Sequence, residues 1–152
     1  MEIDKAVVAG NTGIFDDVVA EGATIWAFVE VNNAKDVEVY DNYVSGIPPF
    51  VSKNEGHAFQ LWSTGPWTVD IHDNEIVGNH QGMHFAGYLV SGPGYPLYVP
   101  SGEIYNNSFV GNEQFGLWLG NNPPPSAESS AIGGPLDARN NWWGDDSGPT
   151  HP

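Results

Sequence analysis

Cysteine is absent from the 152 residues, so disulfides and thiol chemistry are excluded. Basic side chains are almost as scarce. Lys5, Lys35, Lys53 and Arg139 stand against 19 acidic residues, a formal charge of −15. Such a chain repels nucleic acid and anionic membrane rather than steering toward them. It also repels acidic polysaccharides unless a divalent cation intervenes, and the same charge serves solubility with no partner at all. No apolar run is long enough to span a bilayer, so membrane insertion is not expected. No amphipathic-helix pattern emerges either. The start, Met1-Glu-Ile-Asp4, has neither a basic region nor an apolar core, so no secretion signal is read there.

What the chain does have is apolar residues at 40%, with Gly 19 and Pro 12 scattered among short apolar runs. That composition supports a packed interior in a turn-rich β protein. The runs also repeat. Val37-Glu-Val-Tyr-Asp-Asn42-Tyr-Val-Ser-Gly46 aligns without gaps with Val69-Asp-Ile-His-Asp-Asn74-Glu-Ile-Val-Gly78. Gly102-Glu-Ile-Tyr-Asn-Asn107-Ser-Phe-Val-Gly111 and Leu136-Asp-Ala-Arg-Asn-Asn141-Trp-Trp-Gly144 fall into the same columns. The interval is about 33 residues, the range of solenoid repeats. A worn copy, Val7-Val-Ala-Gly-Asn11, lies one interval upstream, with Gly10 and Gly13 where later copies carry Asp or Asn and a large apolar residue.

Alternation within each copy sends Val37, Val39, Val69, Ile71, Gly102, Ile104, Leu136 and Ala138 inward. The asparagine follows at a bend. Asparagine tolerates left-handed backbone and bonds local main chain, and stacked asparagines can bond one another from layer to layer. A second apolar column, Val44, Ile76, Phe109 and Trp143, comes next. One of Trp142 and Trp143 is expected inside, the other closing the end of the stack. A third strand then follows a glycine. Its expected register faces Phe59, Leu61, Met83, Phe85, Leu117 and Leu119 inward, with Gln60, His84 and Trp118 outward. Gly22 to Val31 also reads as a strand. The Pro- and Gly-rich stretches 91–100 and 121–135 read as surface loops.

Three short strands per repeat, each copy stacking on the next, describe one all-β domain over 1–152: a parallel β-helix solenoid of about four to five coils. The repeat resembles those of the right-handed parallel β-helices of the pectin-lyase-like superfamily. The ending Asn140-Asn-Trp-Trp-Gly-Asp-Asp-Ser-Gly-Pro149 resembles an element near the end of β-helix domains in secreted or surface-exposed prokaryotic proteins. The resemblance spans residues 36–149 and implies an extracellular or cell-surface setting. It implies no single function, because this fold carries lyases, hydrolases, epimerases, adhesins and spacers. The chain halts at Pro152 in mid-coil with no visible cap. A piece of a larger protein is therefore expected, or an open-ended unit that stacks on other copies.

Chemistry can live on two faces. Glu38, Asp70, Glu103 and Asp137 share one outward column, and neighbouring parallel strands lie ~4.8 Å apart, so the carboxylates crowd one another. Tyr40, His72, Tyr105 and Arg139 follow two positions later, beside the corner residues Asp41, Asp73, Asn106 and Asn140. Three readings stay open. Calcium fits a set drawn from Glu38, Asp70, Glu103, Asp137, Asp41 and Asp73. Glycoside cleavage could use Asp70 and Glu103 with His72, since glycosidases need two carboxylates ~5–9.5 Å apart. Or the column is simply solvated and screened. The second face is aromatic: Trp26, His84 and Trp118, which with Tyr40, His72 and Tyr105 are the candidate sugar-contacting residues.

Known enzymes of this fold leave few traces. A pectate-lyase-like mechanism wants more basic residues than these four, and the polygalacturonase-like carboxylate and histidine sets have no counterpart at matching spacing. The Tyr-Gly-Phe-Asp-Pro-His stretch of alginate epimerases and the Thr-x-Thr ladders of antifreeze β-helices are missing. His80 and His84, four apart in a strand-turn context, do not define a metal site. No organic cofactor is expected, and an enzyme is the less favoured class. The leading expectation is recognition of a neutral or cation-bridged polysaccharide. A self-associating structural unit comes next, and a hydrolase or lyase fragment third.

Overall fold

The computed structural model describes residues 3–15, 27–49, 56–85, 97–119, 131–133 and 135–144. Among them every regular element is a strand. β1 (Ile3–Ala9), β2 (Thr12–Ile14) and β3 (Ala27–Asn32) are followed by β4 (Ala34–Tyr40), β5 (Tyr43–Ser45) and β6 (His57–Trp62). Next come β7 (Thr68–His72), β8 (Glu75–Val77), β9 (Gln81–Phe85), β10 (Leu97–Val99) and β11 (Ser101–Tyr105). The last three are β12 (Phe115–Leu119), β13 (Ala131–Gly133) and β14 (Leu136–Asp137). They make four separate sheets: β1-β4-β7-β11-β14, β2-β5-β8, β12-β9-β6-β3 and β10-β13. All pairings are parallel. Successive passes visit the first three sheets in the same rotation, so an all-β, parallel-sheet architecture compatible with a β-helix is observed.

The repeat columns become registers. Val37 lies beside Val69 and Val39 beside Ile71, while Gly102 and Ile104 lie beside the same two residues on the other side. The worn copy is a full first layer, with Val8 beside Val39. Period-2 alternation buries Val37, Val39, Val69, Ile71 and Ile104 against Val44, Ile76 and Phe109, and against Phe59, Leu61, Met83 and Phe85. Burying each such side chain contributes roughly 1.5–3 kcal/mol. Trp143 completes the second column by stacking on Phe109 at 5.0 Å. Gly13 leaves a gap in that column that rings occupy: a Cβ there would lie 2.7 Å from Phe28. Gly102 has no such freedom. Its φ is 127° and a Cβ would meet the Val69 carbonyl at 2.0 Å, so only glycine fits between these strands.

The corner works differently from the sequence expectation. The left-handed residue is the one before each asparagine: Asp41, Asp73, Asn106 and Asn140 have φ of 54°, 55°, 55° and 61°. Asp and Asn are the non-glycine residues that tolerate this region best. The asparagines proper form a single file. Asn11 Nδ2 donates to Asn42 Oδ1, Asn42 to Asn74, Asn74 to Asn107, and Asn107 to Asn141, at 2.8–3.0 Å. Each Oδ1 also accepts a backbone N–H from the preceding layer. Each Nδ2 from Asn42 on also reaches a carbonyl of that layer. The file thereby satisfies the backbone exactly where the strand pairing is interrupted.

Three further features depart from expectation. A second, shorter ladder runs five residues on: Asn79 Nδ2 donates to Asn112 Oδ1 at 3.1 Å, and Asn79 Oδ1 accepts the Ile47 N–H. The stretches read as loops contribute β10 and β13, which pair with each other, because Leu97-Tyr-Val and Ala131-Ile-Gly offer short strand-forming runs between the prolines. Trp142 lines the outer side of the corner and is 48% exposed, instead of closing the stack.

Candidate functional site

The first sheet brings the outward columns together as registered pairs. Glu38 lies beside Asp70, Asp70 beside Glu103, and Glu103 beside Asp137. Both ends of this column are neutralised. Lys5, on β1, places Nζ 2.6 Å from Glu38 Oε2. Arg139 curls back so that its Nε sits 2.8 Å from each Asp137 oxygen. The electrostatics follow. The Glu38 hydrogen bond and charge raise the Lys5 pKa, and Arg139 holds the Asp137 carboxyl below its ordinary value. Among the described residues, Asp70 and Glu103 in the middle have no ion-pair partner.

Two positions along the strands, His72 is sandwiched between tyrosines. Tyr40 and His72 stack with centroids 5.2 Å apart and planes within 6°, and His72 and Tyr105 stack at 5.1 Å and 16°. His72 Nδ1 lies 2.8 Å from Asp73 Oδ2 at the corner. One donor atom from each of Glu38, Asp70 and His72 lies within 4.8 Å of the others. Partial burial raises the Tyr105 hydroxyl pKa first, and the carboxylates of Asp70, Asp73, Glu103 and Glu38 raise it further. A negative potential thus converges on this stretch of the sheet.

The two faces of His72, and one face each of Tyr40 and Tyr105, are turned on one another and so are taken up within the stack. The face also offers hydroxyl and imidazole groups beside carboxylates, which suit an ion or sugar hydroxyls. Of the six residues expected to hold a metal, Glu38 and Asp70 join His72. Glu103 continues the column, Asp73 braces His72, Asp137 is engaged by Arg139, and Asp41 is an exposed corner residue. As potential catalysts, Asp70 and Glu103 are neighbours in register, and His72 lies two positions along the same strand from Asp70.

The aromatic face is largely closed. Gln60, His84 and Trp118 share the expected register, but His84 is only 2% exposed. Trp118 is half-buried and spends one face on His84, with centroids 4.4 Å apart. Trp26 lies outside the described residues. Beneath this face is a polar cluster that alternation alone misses. His57, Gln60, His80, Gln81 and His84 are all buried. His80 Nδ1 lies 2.6 Å from Glu113, and Gln81 Nε2 donates to Gln114 at 2.5 Å. Burial above all, then His84 and His80, push the His57 pKa from 6.5 to about 3. The available signal is composition: outward positions of the first sheet are charged, whereas these are uncharged amides and imidazoles, which can be buried when hydrogen-bonded.

Around the corner, Asp73, Glu75, Asn106, Ser108, Asn140 and Trp142 line an open groove of about 500 Å³. Comparison with family models, with curated proteins and with solved structures finds no match. The likeness to pectin-lyase-like repeats therefore rests on the sequence motifs, beside an all-strand, parallel-sheet fold compatible with it.

Proposed function

We propose that the chain is a right-handed parallel β-helix module of a secreted or surface-borne protein, and that its acidic face recognises polysaccharide through a bound cation. The rotation of the chain through three parallel sheets supports the solenoid, and parallel crossovers are right-handed in nearly all known cases. The observation that carries the functional reading is the convergence of Glu38, Asp70 and His72 within 4.8 Å on a rigid sheet, flanked by tyrosine edges. Asp70 lies at sheet spacing from Glu38 and Glu103 with no ion-pair partner among the described residues, and a cation relieves that repulsion while leaving coordination positions for sugar oxygens. With a net charge of −15, the protein has little attraction of its own for anionic glycans, so the ion supplies it.

The test is electrophoresis in gels containing soluble polysaccharides, neutral and acidic, with divalent cation or with chelator. Cation-dependent retardation that Glu38→Gln with Asp70→Asn abolishes is expected. Retardation unchanged by chelator and by these substitutions overturns the reading.

A second reading is favoured by a separate observation. Among the described residues β1 and β2 are paired on one side only, and Ile3, Val7 and Ile14 are exposed along that edge. An unprotected edge of this kind is a template for another copy of the chain. Light scattering across a concentration series distinguishes the two, because self-association through this edge raises the mass and Val7→Lys lowers it again.

A further inference from the structure

We infer that Glu38, Asp70 and His72 form a site for a borderline transition metal, with zinc(II) as the working example, in preference to calcium. The inference rests on the reading of this face as cation-binding and names the ion. The first argument is the donor set. Two carboxylates and one imidazole each bring an atom within 4.8 Å of the others, a span a single ion can bridge by small rotamer shifts. Calcium takes about 6–8 oxygen ligands and has little use for a ring nitrogen. An imidazole with two carboxylates suits zinc and its neighbours, with the fourth position open to water or a ligand oxygen.

The second argument is preorganisation. His72 is clamped flat between Tyr40 and Tyr105, which fixes the plane of the ring. Asp73 holds Nδ1 at 2.8 Å. If Nδ1 donates to Asp73, the lone pair is left on Nε2 for an ion. This is the carboxylate–histidine–metal relay, in which the outer carboxylate orients the ring and strengthens the donor.

The third argument is competition. Lys5 Nζ occupies the space beside Glu38 at 2.6 Å, so it neutralises the carboxylate that the ion would share. Metal entry displaces this ammonium, and Lys5 sets the affinity by opposing it. His57, His80 and His84 form no comparable site, because among the described residues only the Glu38 group brings three donor atoms so close together.

Isothermal titration of the chelator-stripped 152-residue chain with zinc chloride, and separately with calcium chloride, tests the assignment. One zinc per chain is expected, bound at least ~10-fold more tightly than calcium. His72→Phe, which keeps an aromatic ring between the tyrosines, should weaken zinc by more than the ~10–100-fold typical of losing an outer-shell partner, and leave calcium unchanged. Asp73→Asn should fall within that outer-shell range. Lys5→Met should tighten zinc several-fold. Circular dichroism of each variant establishes that the fold is kept. Calcium binding as tight as zinc, with no effect of His72→Phe, overturns the transition-metal assignment and leaves the cation-binding face intact. Zinc binding that survives His72→Phe also overturns it. If neither ion binds, both readings fail.

Discussion

Truncating Asn74 isolates what the asparagine file contributes. Its Oδ1 accepts from Asn42 N at 3.1 Å and Asn42 Nδ2 at 2.8 Å. Its Nδ2 donates to Val39 O, His72 O and Asn107 Oδ1, at 2.9, 2.9 and 2.8 Å. The side chain is 2% exposed, so water cannot replace these partners without opening the interior. Asn74→Ala removes all five contacts and strands the Asn42 N–H in the interior. An unsatisfied buried donor or acceptor costs about 1–3 kcal/mol, and at least two are created, so a loss of about 3–5 kcal/mol is expected. Asn11 heads the file on an exposed layer, and its Nδ2 contacts only Ala9 O and Asn42 Oδ1. Asn11→Ala should therefore cost about 1 kcal/mol. Urea denaturation followed by tryptophan fluorescence measures both. If Asn74→Ala proved no more costly than Asn11→Ala, the file would be an ornament of the turn rather than the bond that closes each layer.

Three further outcomes follow from local geometry. Gly102→Ala drives a methyl into the Val69 carbonyl at 2.0 Å and should unfold the protein or cost upward of about 3 kcal/mol, whereas Gly78→Ala, with open space and φ of 64°, should cost only about 1–2 kcal/mol. Thermal melts of the two variants decide this. His57 is held neutral in the fold, with its pKa lowered from 6.5 to about 3, while the unfolded chain takes up its proton near 6.5. Stability from this group is therefore complete above about pH 6.5 and falls as pH drops toward 3, by about 1.4 kcal/mol per unit. His57→Gln should flatten that part of the stability–pH curve, and an unchanged slope would refute the assignment. Trp67 is buried against Phe85, with its indole N–H on the Tyr98 carbonyl at 2.7 Å, so Trp67→Phe should destabilise by about 1–2 kcal/mol through the lost bond.

The repeat made the registers legible because parallel stacking converts a sequence interval into a spatial neighbour. Once Asn42, Asn74, Asn107 and Asn141 fall in one column, the positions of Glu38 beside Asp70 and of Tyr40 beside His72 follow without coordinates. The left-handed corner was less legible. Asn and Asp stand side by side there, both tolerate positive φ, and only the fold shows that Asp41 and Asp73 take the strain while the asparagines take the hydrogen bonds. The covered face of the third sheet was not legible. Alternation tells which residues leave the apolar interior, and it does not tell whether something lies over them, so His84 reads as outward although it is buried.

The ring stack carries the same lesson into chemistry. Identical spacing places Tyr40, His72 and Tyr105 in one column whether their faces meet each other or meet solvent. Rings on adjacent strands of a parallel sheet lie close enough to stack, and doing so removes apolar area that would otherwise stay wet. Stacking then decides what the surface can recognise. Faces turned inward leave edges, and edges beside Glu38 and Asp70 make a polar, negative line along the sheet. Its two ends are already matched by Lys5 and Arg139, so the unmatched charge concentrates in the middle, where His72 stands between the tyrosines. The repulsion is greatest at Asp70, which lies beside both Glu38 and Glu103 and has no ion-pair partner among the described residues. Stability without added metal should accordingly rise when Asp70 is replaced by asparagine, and the proposed cation, when added, should cancel that gain.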